Sequence, residues 1–235
     1  MDNIVEAYIK KKKSFIVLIL GLPCSNKTEL AKELFGDLSN GVKNLSLINI
    51  NDFYNNEFVE KEIDGIKYNL YDHPDNLNWE ALNTEVNNKK EYGVVLYGNY
   101  IDPDKINFDL DFVYFIDLNN NLCKEQLIKN NLIKTNISVE ESQEEKDKKI
   151  DTYFEKVMLP SFDKLREIIK EKMSVNKFFN LKEDTKFDDV YDKLFDILMN
   201  NIEKSLKELK EKEQGTKEKN HKFNSKGIKN KKQKK

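Results

Sequence analysis

The residues with the clearest chemistry form one short segment, in which an apolar run leads through a turn into a helix. Its turn reads Gly21-Leu22-Pro23-Cys24-Ser25-Asn26-Lys27-Thr28. A phosphate-binding loop has the pattern Gly-x-x-x-x-Gly-Lys-Ser/Thr because backbone N–H groups hold the anion, the lysine reaches the outer phosphates and the hydroxyl meets Mg²⁺. Asn26 replaces the second glycine, and asparagine tolerates left-handed backbone better than other non-glycine residues. The segment predicts nucleotide binding by residues 21–28, with Thr28 at the metal; an ordinary strand-to-helix turn is the alternative.

A second polar group follows the next apolar run, where Asn51 and Asp52 precede Phe53 and Tyr54. Side chains at the carboxyl end of a parallel strand lie where open α/β folds bind their ligands. Phosphoryl transfer asks a protein to position the reactants, to neutralise charge and to orient or deprotonate the attacking hydroxyl. We therefore predict that Lys27 and Asp52 are catalytic, with a strand-end cap as the alternative for Asp52.

Two further motifs lie downstream. The first is Tyr71-Asp72-His73-Pro74-Asp75, which precedes a helix pattern from Trp79, and the second spans residues 153–164 around Pro160. Asp, His and Pro before a helix are also good turn and capping residues, which is the alternative for the first motif.

Apolar and β-branched runs alternate with helical patterns along the chain. The runs lie at 15–20, 45–50, 93–97, 112–118 and 177–181, and the helical patterns at 27–35, 79–86, 121–131, 140–157, 161–173 and 188–210. This alternation predicts an α/β fold with a parallel sheet covered by helices, because parallel strands need crossover connections.

The four motifs occur in the order found in uridine kinases and nicotinamide riboside kinases, and the chain resembles that family over roughly residues 14–180. The resemblance implies a three-layer P-loop kinase fold with a parallel five-stranded sheet and a helical lid. It implies an enzyme that uses ATP and Mg²⁺ to phosphorylate the 5′-hydroxyl of a nucleoside, with uridine or cytidine placed ahead of nicotinamide riboside.

The resemblance also gives roles to individual residues. It implies that Asp72 accepts hydrogen bonds from the ribose hydroxyls, that Tyr54 and Tyr71 wall the sugar and base, and that Asn51 and His73 complete the substrate site. The tyrosines are core or turn aromatics in the alternative interpretation. Where the family's lid carries arginines, this chain carries lysines, namely Lys124, Lys129 and Lys134.

The chain departs from the family at several positions. Asn51 stands where the family has its catalytic aspartate, and Asp52, one place later, would point to the other face of a continued strand. Tyr97-Gly98 replaces a Glu-Gly pair, and the lid has no arginine. The short link between the helix at 79–86 and the strand at 93 leaves no room for the hairpin that contacts pyrimidines in uridine kinases. A kinase-fold protein with weakened or lost catalysis, binding nucleotide or a protein partner, is therefore the second hypothesis.

Composition excludes several other classes of function. The 235 residues carry a net charge of −2, so no global attraction to nucleic acid is expected. Two cysteines in unrelated contexts and two histidines predict neither a disulfide framework nor a histidine-rich metal site. The longest apolar run is too short to cross a bilayer, and we expect a soluble, cytoplasmic or otherwise intracellular protein without membrane partners.

The chain is predicted to consist of one folded domain and a C-terminal tail. Residues 1–205 are predicted to form one kinase-like domain, and residues 206–235 a Lys-rich, disordered tail. The hypothesis of nucleic-acid binding rests only on this basic tail, and a solvated tail is the simpler interpretation.

Overall fold

The five apolar runs form the strands of one sheet. A computed structural model describes residues 3–70, 73–130 and 142–231. Its helices are α1 (Ile4–Lys12), α2 (Lys27–Ser39), α3 (Trp79–Lys89), α4 (Asn120–Lys129), α5 (Gln143–Tyr153), α6 (Leu159–Lys172) and α7 (Phe187–Lys231). Its strands are β1 (Ile16–Gly21), β2 (Ser46–Asn49), β3 (Glu60–Ile63), β4 (Ile66–Asn69), β5 (Val94–Gly98), β6 (Phe112–Leu118) and β7 (Lys177–Leu181).

The main sheet has the strand order β2-β5-β1-β6-β7, and its neighbouring strands all run parallel. The central strand β1 is buried along its whole length, which explains its continuous apolar sequence. Side chains of α3, α4 and α6 pack on one face of the sheet, and those of α1, α2 and α7 on the other. The predicted α/β fold, with five parallel strands covered by helices on both faces, is confirmed. The segment between α4 and α5 that would complete a lid includes residues 131–141, outside the described ranges.

The strand β2 is shorter than the predicted range 45–50. It ends at Asn49, and a 3₁₀ turn over Ile50–Phe53 replaces its last part. The Asn49 side chain caps this turn by accepting a hydrogen bond from the Asn51 N–H at 3.1 Å. Strand alternation therefore does not decide where Asp52 points, because the residue lies on a turn.

The sequence prediction missed the helix α1 and the hairpin β3–β4. The helix α1 has nine residues, and it is fixed by the Asn3 cap and by the Tyr8 hydroxyl, which donates to Asp111 at 2.8 Å. The hairpin β3–β4 turns at Asp64 and Gly65, both with positive φ, which is the Asp-Gly signal of a two-residue hairpin. That dipeptide was the available clue, and the charged residues around it obscured the alternation.

The last helix extends past the predicted domain boundary. α7 continues to Lys231, and Leu206 is buried against the core. The boundary at 205 and the character of the tail stay predictions. Within the described ranges, none of the helices has both the length and the apolar composition of a membrane span.

Candidate phosphate-binding and acceptor site

The turn between β1 and α2 contains two residues with left-handed backbone. Cys24 and Asn26 take φ values of 62° and 56°, so Asn26 supplies the left-handed conformation for which the motif normally uses glycine. Asn26 is exposed, and its side chain caps no N–H of α2 within the described part of the chain. Because the first N–H groups of a helix have no partner inside it, the start of α2 is open to a bound anion.

The loop is pressed against the carboxyl end of β6. Leu22 donates its N–H to the Ile116 carbonyl at 3.2 Å, and Ser25 is fully buried. The Ser25 hydroxyl has no hydrogen-bond partner among the described residues. A buried hydroxyl without a partner is costly, and such costs are retained mainly at functional sites.

Gly21 allows this close approach, because a Cβ at that position would lie 2.6 Å from Ser25 Oγ and 2.7 Å from the Ile116 carbonyl oxygen. We expect Gly21→Ala to destabilise the fold by about 1–3 kcal/mol, since the backbone carbonyl cannot move aside. Gly36→Ala is the matched control: Gly36 lies in α2 with no described atom within 4 Å of the added Cβ, and the change should stabilise by up to about 1 kcal/mol. Chemical denaturation of both variants measures the two effects, and equal stabilities would contradict the tight-loop description.

Lys27 is the charged residue at the centre of the loop. Its side chain is 7% exposed, and Nζ donates to the Leu22 carbonyl at 3.2 Å. A buried ammonium needs hydrogen-bond acceptors, and the backbone oxygen provides one inside the loop. Thr28 follows in the first turn of α2 and is half-buried. Lys27 and Thr28 therefore lie together at the start of α2, and their contacts with phosphate and metal stay a prediction.

The two cysteines pack around the loop as protonated thiols. Burial raises the pKa of Cys24, and the hydrogen bond with Asn130 and the charge of Lys27 oppose this shift. Burial also raises the pKa of Cys123 to about 12, and its Sγ lies 3.5 Å from the Pro23 carbonyl oxygen. A thiol is a poorer nucleophile than a thiolate, so burial lowers the reactivity of both cysteines.

The carboxyl ends of β2 and β5 form the neighbouring part of the site. Asp52 is exposed, and its Oδ1 accepts a hydrogen bond from Asn49 Nδ2 at 2.8 Å. Asn51 is half-buried, and its Oδ1 accepts from the Asn99 N–H at 3.4 Å. Tyr97 is buried; burial raises the pKa of its phenol, and the negative charges of Asp52 and Glu29 raise it further. Asp52 and Glu29 are thus the two carboxylates whose charges act on Tyr97, and Asn51 is hydrogen-bonded to the residue that follows β5.

The structure brings together the second and third motifs of the sequence. Tyr54 forms a β-bridge with Leu77, and the Asn78 N–H donates to the Phe53 carbonyl at 2.9 Å. The Tyr54 ring also contacts Phe58, with 5.7 Å between ring centroids. Residues predicted to line one substrate site are therefore on adjacent segments.

His73 lies on the second of these segments and takes part in turn formation. Its Nδ1 accepts from the Asp75 N–H at 3.3 Å, and Trp79 Nε1 donates to the Pro74 carbonyl at 2.7 Å. The capping role considered for this motif is present, and a contact of His73 with substrate stays a prediction. Tyr71 and Asp72 lie outside the described residues.

The predicted lid lysines have different surroundings. Lys124 Nζ lies 2.7 Å from Asp151 and 5.6 Å from the centroid of the Phe154 ring. Lys129 is at the exposed end of α4, and Lys134 lies outside the described ranges. Lys124 is therefore paired with Asp151 of α5, and a clamp of lysines on phosphate stays a prediction.

Sequence reasoning missed a polar cavity at the same edge of the sheet, where β6 and β7 end. It measures about 360 Å³, and its lining includes Asn119, Asn180 and Lys182. Arg166 forms its wall: Nε and Nη2 bind the Asp117 carboxylate, with Nη2 at 2.9 Å from Oδ1. The available signal was that Arg166 is the single arginine in a chain with 40 basic residues. We call this cavity the Arg166 cavity.

No protein-family model matches the chain, and neither does any curated protein. Among solved structures, the thymidylate kinase from Ehrlichia chaffeensis is similar, with 13% sequence identity and a TM-score of 0.38. The match covers 79% of this chain and 98% of that chain.

Proposed function

We propose that this protein is an ATP-dependent kinase that transfers the γ-phosphoryl group of ATP to the 5′-hydroxyl of a nucleoside. The observation that carries the proposal is the loop of residues 21–28, in which a left-handed Asn26 and a buried Lys27 stand at the start of α2. This arrangement supports binding of a nucleotide phosphate chain through backbone N–H groups and one ammonium.

The surrounding residues support the other parts of the reaction. Thr28 would hold Mg²⁺, which supplies charge neutralisation on the phosphates when it is bound. Asp52 would orient or deprotonate the acceptor hydroxyl, while the joined segments at Tyr54 and His73 would bind the nucleoside. The Arg166 cavity, at the same sheet edge, has the size and polar lining to take the base of the donor nucleotide.

The acceptor is a small nucleoside, and uridine, cytidine and nicotinamide riboside are the candidates. The link between α3 and β5 spans four residues, Lys90 to Gly93, with no strand between these elements. The hairpin β3–β4 lies upstream of the His73 segment instead. The nucleoside panel of the test therefore contains all three candidates.

The proposal is tested by incubating the purified chain with ATP, Mg²⁺ and a nucleoside panel, and by detecting 5′-monophosphates by mass spectrometry. We expect one nucleoside to be converted with an equal yield of ADP. Product no greater than that of the Lys27→Ala variant would contradict the enzyme proposal.

A second candidate is a nucleotide-binding protein on the same fold without efficient catalysis. It is favoured by Asn51, whose amide cannot accept a proton and is hydrogen-bonded to Asn99, and by Lys124, which pairs with Asp151. In the same assay this candidate predicts saturable ATP binding with no 5′-monophosphate.

A further inference from the structure

Asn49 has an unusual position next to the proposed base. It is the last residue of β2, and both ends of its amide are used within three residues. Its Oδ1 accepts from the Asn51 N–H at 3.1 Å, and its Nδ2 donates to Asp52 Oδ1 at 2.8 Å. One side chain therefore caps the 3₁₀ turn and holds the carboxylate that this turn carries.

The hydrogen bond from Asn49 restricts the conformation of the Asp52 side chain. Asp52 is exposed on a four-residue turn, Ile50–Phe53, where a free aspartate would sample several rotamers. The amide N–H of Asn49 selects one of them. Asn49 itself is fixed, because its backbone pairs in register with Tyr97 of β5.

Among the described residues, Asn49 is the one that donates a hydrogen bond to the Asp52 side chain. Asn51 uses its side-chain oxygen to accept from Asn99, and Glu29 adds only negative charge. Tyr97 keeps its proton, because burial and the charges of Asp52 and Glu29 raise its pKa.

We propose that Asn49 is a positioning residue, which orients the Asp52 carboxylate for the acceptor hydroxyl. The inference rests on the proposed function. In the reaction, the 5′-oxygen forms a bond to the γ-phosphorus while the bond from that phosphorus to the β,γ-bridging oxygen breaks. The proton of the hydroxyl passes to Asp52, and ADP leaves with the bridging electrons.

The first test is Asn49→Asp, which keeps an acceptor for the Asn51 N–H but removes the donor to Asp52. We expect kcat to fall by about 10²-fold, the effect of a small misplacement of a reacting group, with the KM for ATP unchanged. Asn107→Asp is the matched control. Asn107 is exposed on the loop before β6, at the amino end of that strand, whereas Asn49 lies at the carboxyl end of β2. The Asn107 Oδ1 likewise accepts a side-chain hydrogen bond, from Asn87 Nδ2 at 2.7 Å. The control variant should leave kcat unchanged. An unchanged kcat in Asn49→Asp would overturn the proposal.

The second test is a double-mutant cycle of Asn49→Ala and Asp52→Ala. A residue that acts through Asp52 should have no further effect on kcat once Asp52 is gone, whereas a purely structural role predicts that the two losses multiply. The melting temperatures of the same four proteins give a readout independent of activity. If the wild-type chain phosphorylates no nucleoside, the proposed function is wrong. Independently of activity, the contact between Asn49 and Asp52 would be overturned if the melting-temperature shift of the double variant equalled the sum of the shifts of the two single variants.

Discussion

Replacing Lys27 by alanine is expected to lower phosphoryl transfer by about 10²–10³-fold, the usual loss when one preorganised donor to a developing charge is removed. Lys27 is buried inside the loop, and its ammonium is already directed into the turn by its hydrogen bond to the Leu22 carbonyl. On nucleotide binding, the Lys27 ammonium would replace its hydrogen bond to the Leu22 carbonyl with hydrogen bonds to the outer phosphates. Because the side chain is already ordered, this exchange would cost little conformational entropy. Turnover with the best nucleoside of the panel measures the effect.

Lys32→Ala is the matched control for this change. Lys32 lies on the same helix α2 but is exposed, so the variant removes an equal charge outside the loop and should keep wild-type turnover. The melting temperature of each variant with and without ATP separates loss of binding from loss of folding, because a ligand that binds the native state raises this temperature. Equal turnover in Lys27→Ala and Lys32→Ala would contradict the assignment of the loop.

Replacing Asp52 by asparagine is expected to reduce turnover by about 10²–10⁴-fold, the usual contribution of a general base. ATP binding should survive, because Asp52 lies on the turn after β2 and not in the loop of residues 21–28. In one preparation of this variant, turnover should therefore be low while calorimetry still detects ATP binding. Asp109→Asn, an exposed carboxylate on the loop before β6, is the control and should have no effect.

Asn51→Asp divides the two hypotheses about catalysis. In a decayed kinase it restores a carboxylate at the position of the family's aspartate, and turnover should rise. In an enzyme working through Asp52 it adds a neighbouring negative charge, and it weakens a side chain that accepts from Asn99, so turnover should not rise. If Asp52→Asn leaves a genuine activity unchanged, the base assignment is wrong.

The sequence predicts strands best where their apolar runs are continuous. β6 has the predicted bounds, 112–118, and its first five residues are apolar and buried in the sheet. The edge strand β7 also has the predicted bounds, 177–181, although Phe179 is its one buried residue. The left-handed backbone of the turn between β1 and α2 was predictable for another reason: Asn26 stands where the phosphate-loop pattern normally has a glycine, and it takes the positive φ that such a position requires.

The acceptor side was harder to predict because side-chain hydrogen bonds decide it. Asn49 ends β2 by capping the following turn, and this contact fixes the direction of Asp52. The Arg166 cavity depends on a pairing between residues 49 positions apart, Arg166 and Asp117. Periodicity and motif spacing carry no information on either contact. Both contacts depend on how the ends of the strands come together in the folded protein.

Calorimetric titration of the wild-type chain with ATP and Mg²⁺ tests most directly whether residues 21–28 form a nucleotide phosphate site. We predict saturable binding of one ATP per chain, retained in Asp52→Asn and in Lys32→Ala and lost in Lys27→Ala. Absence of binding to both ATP and GTP, or binding that Lys27→Ala leaves unchanged, would contradict the account.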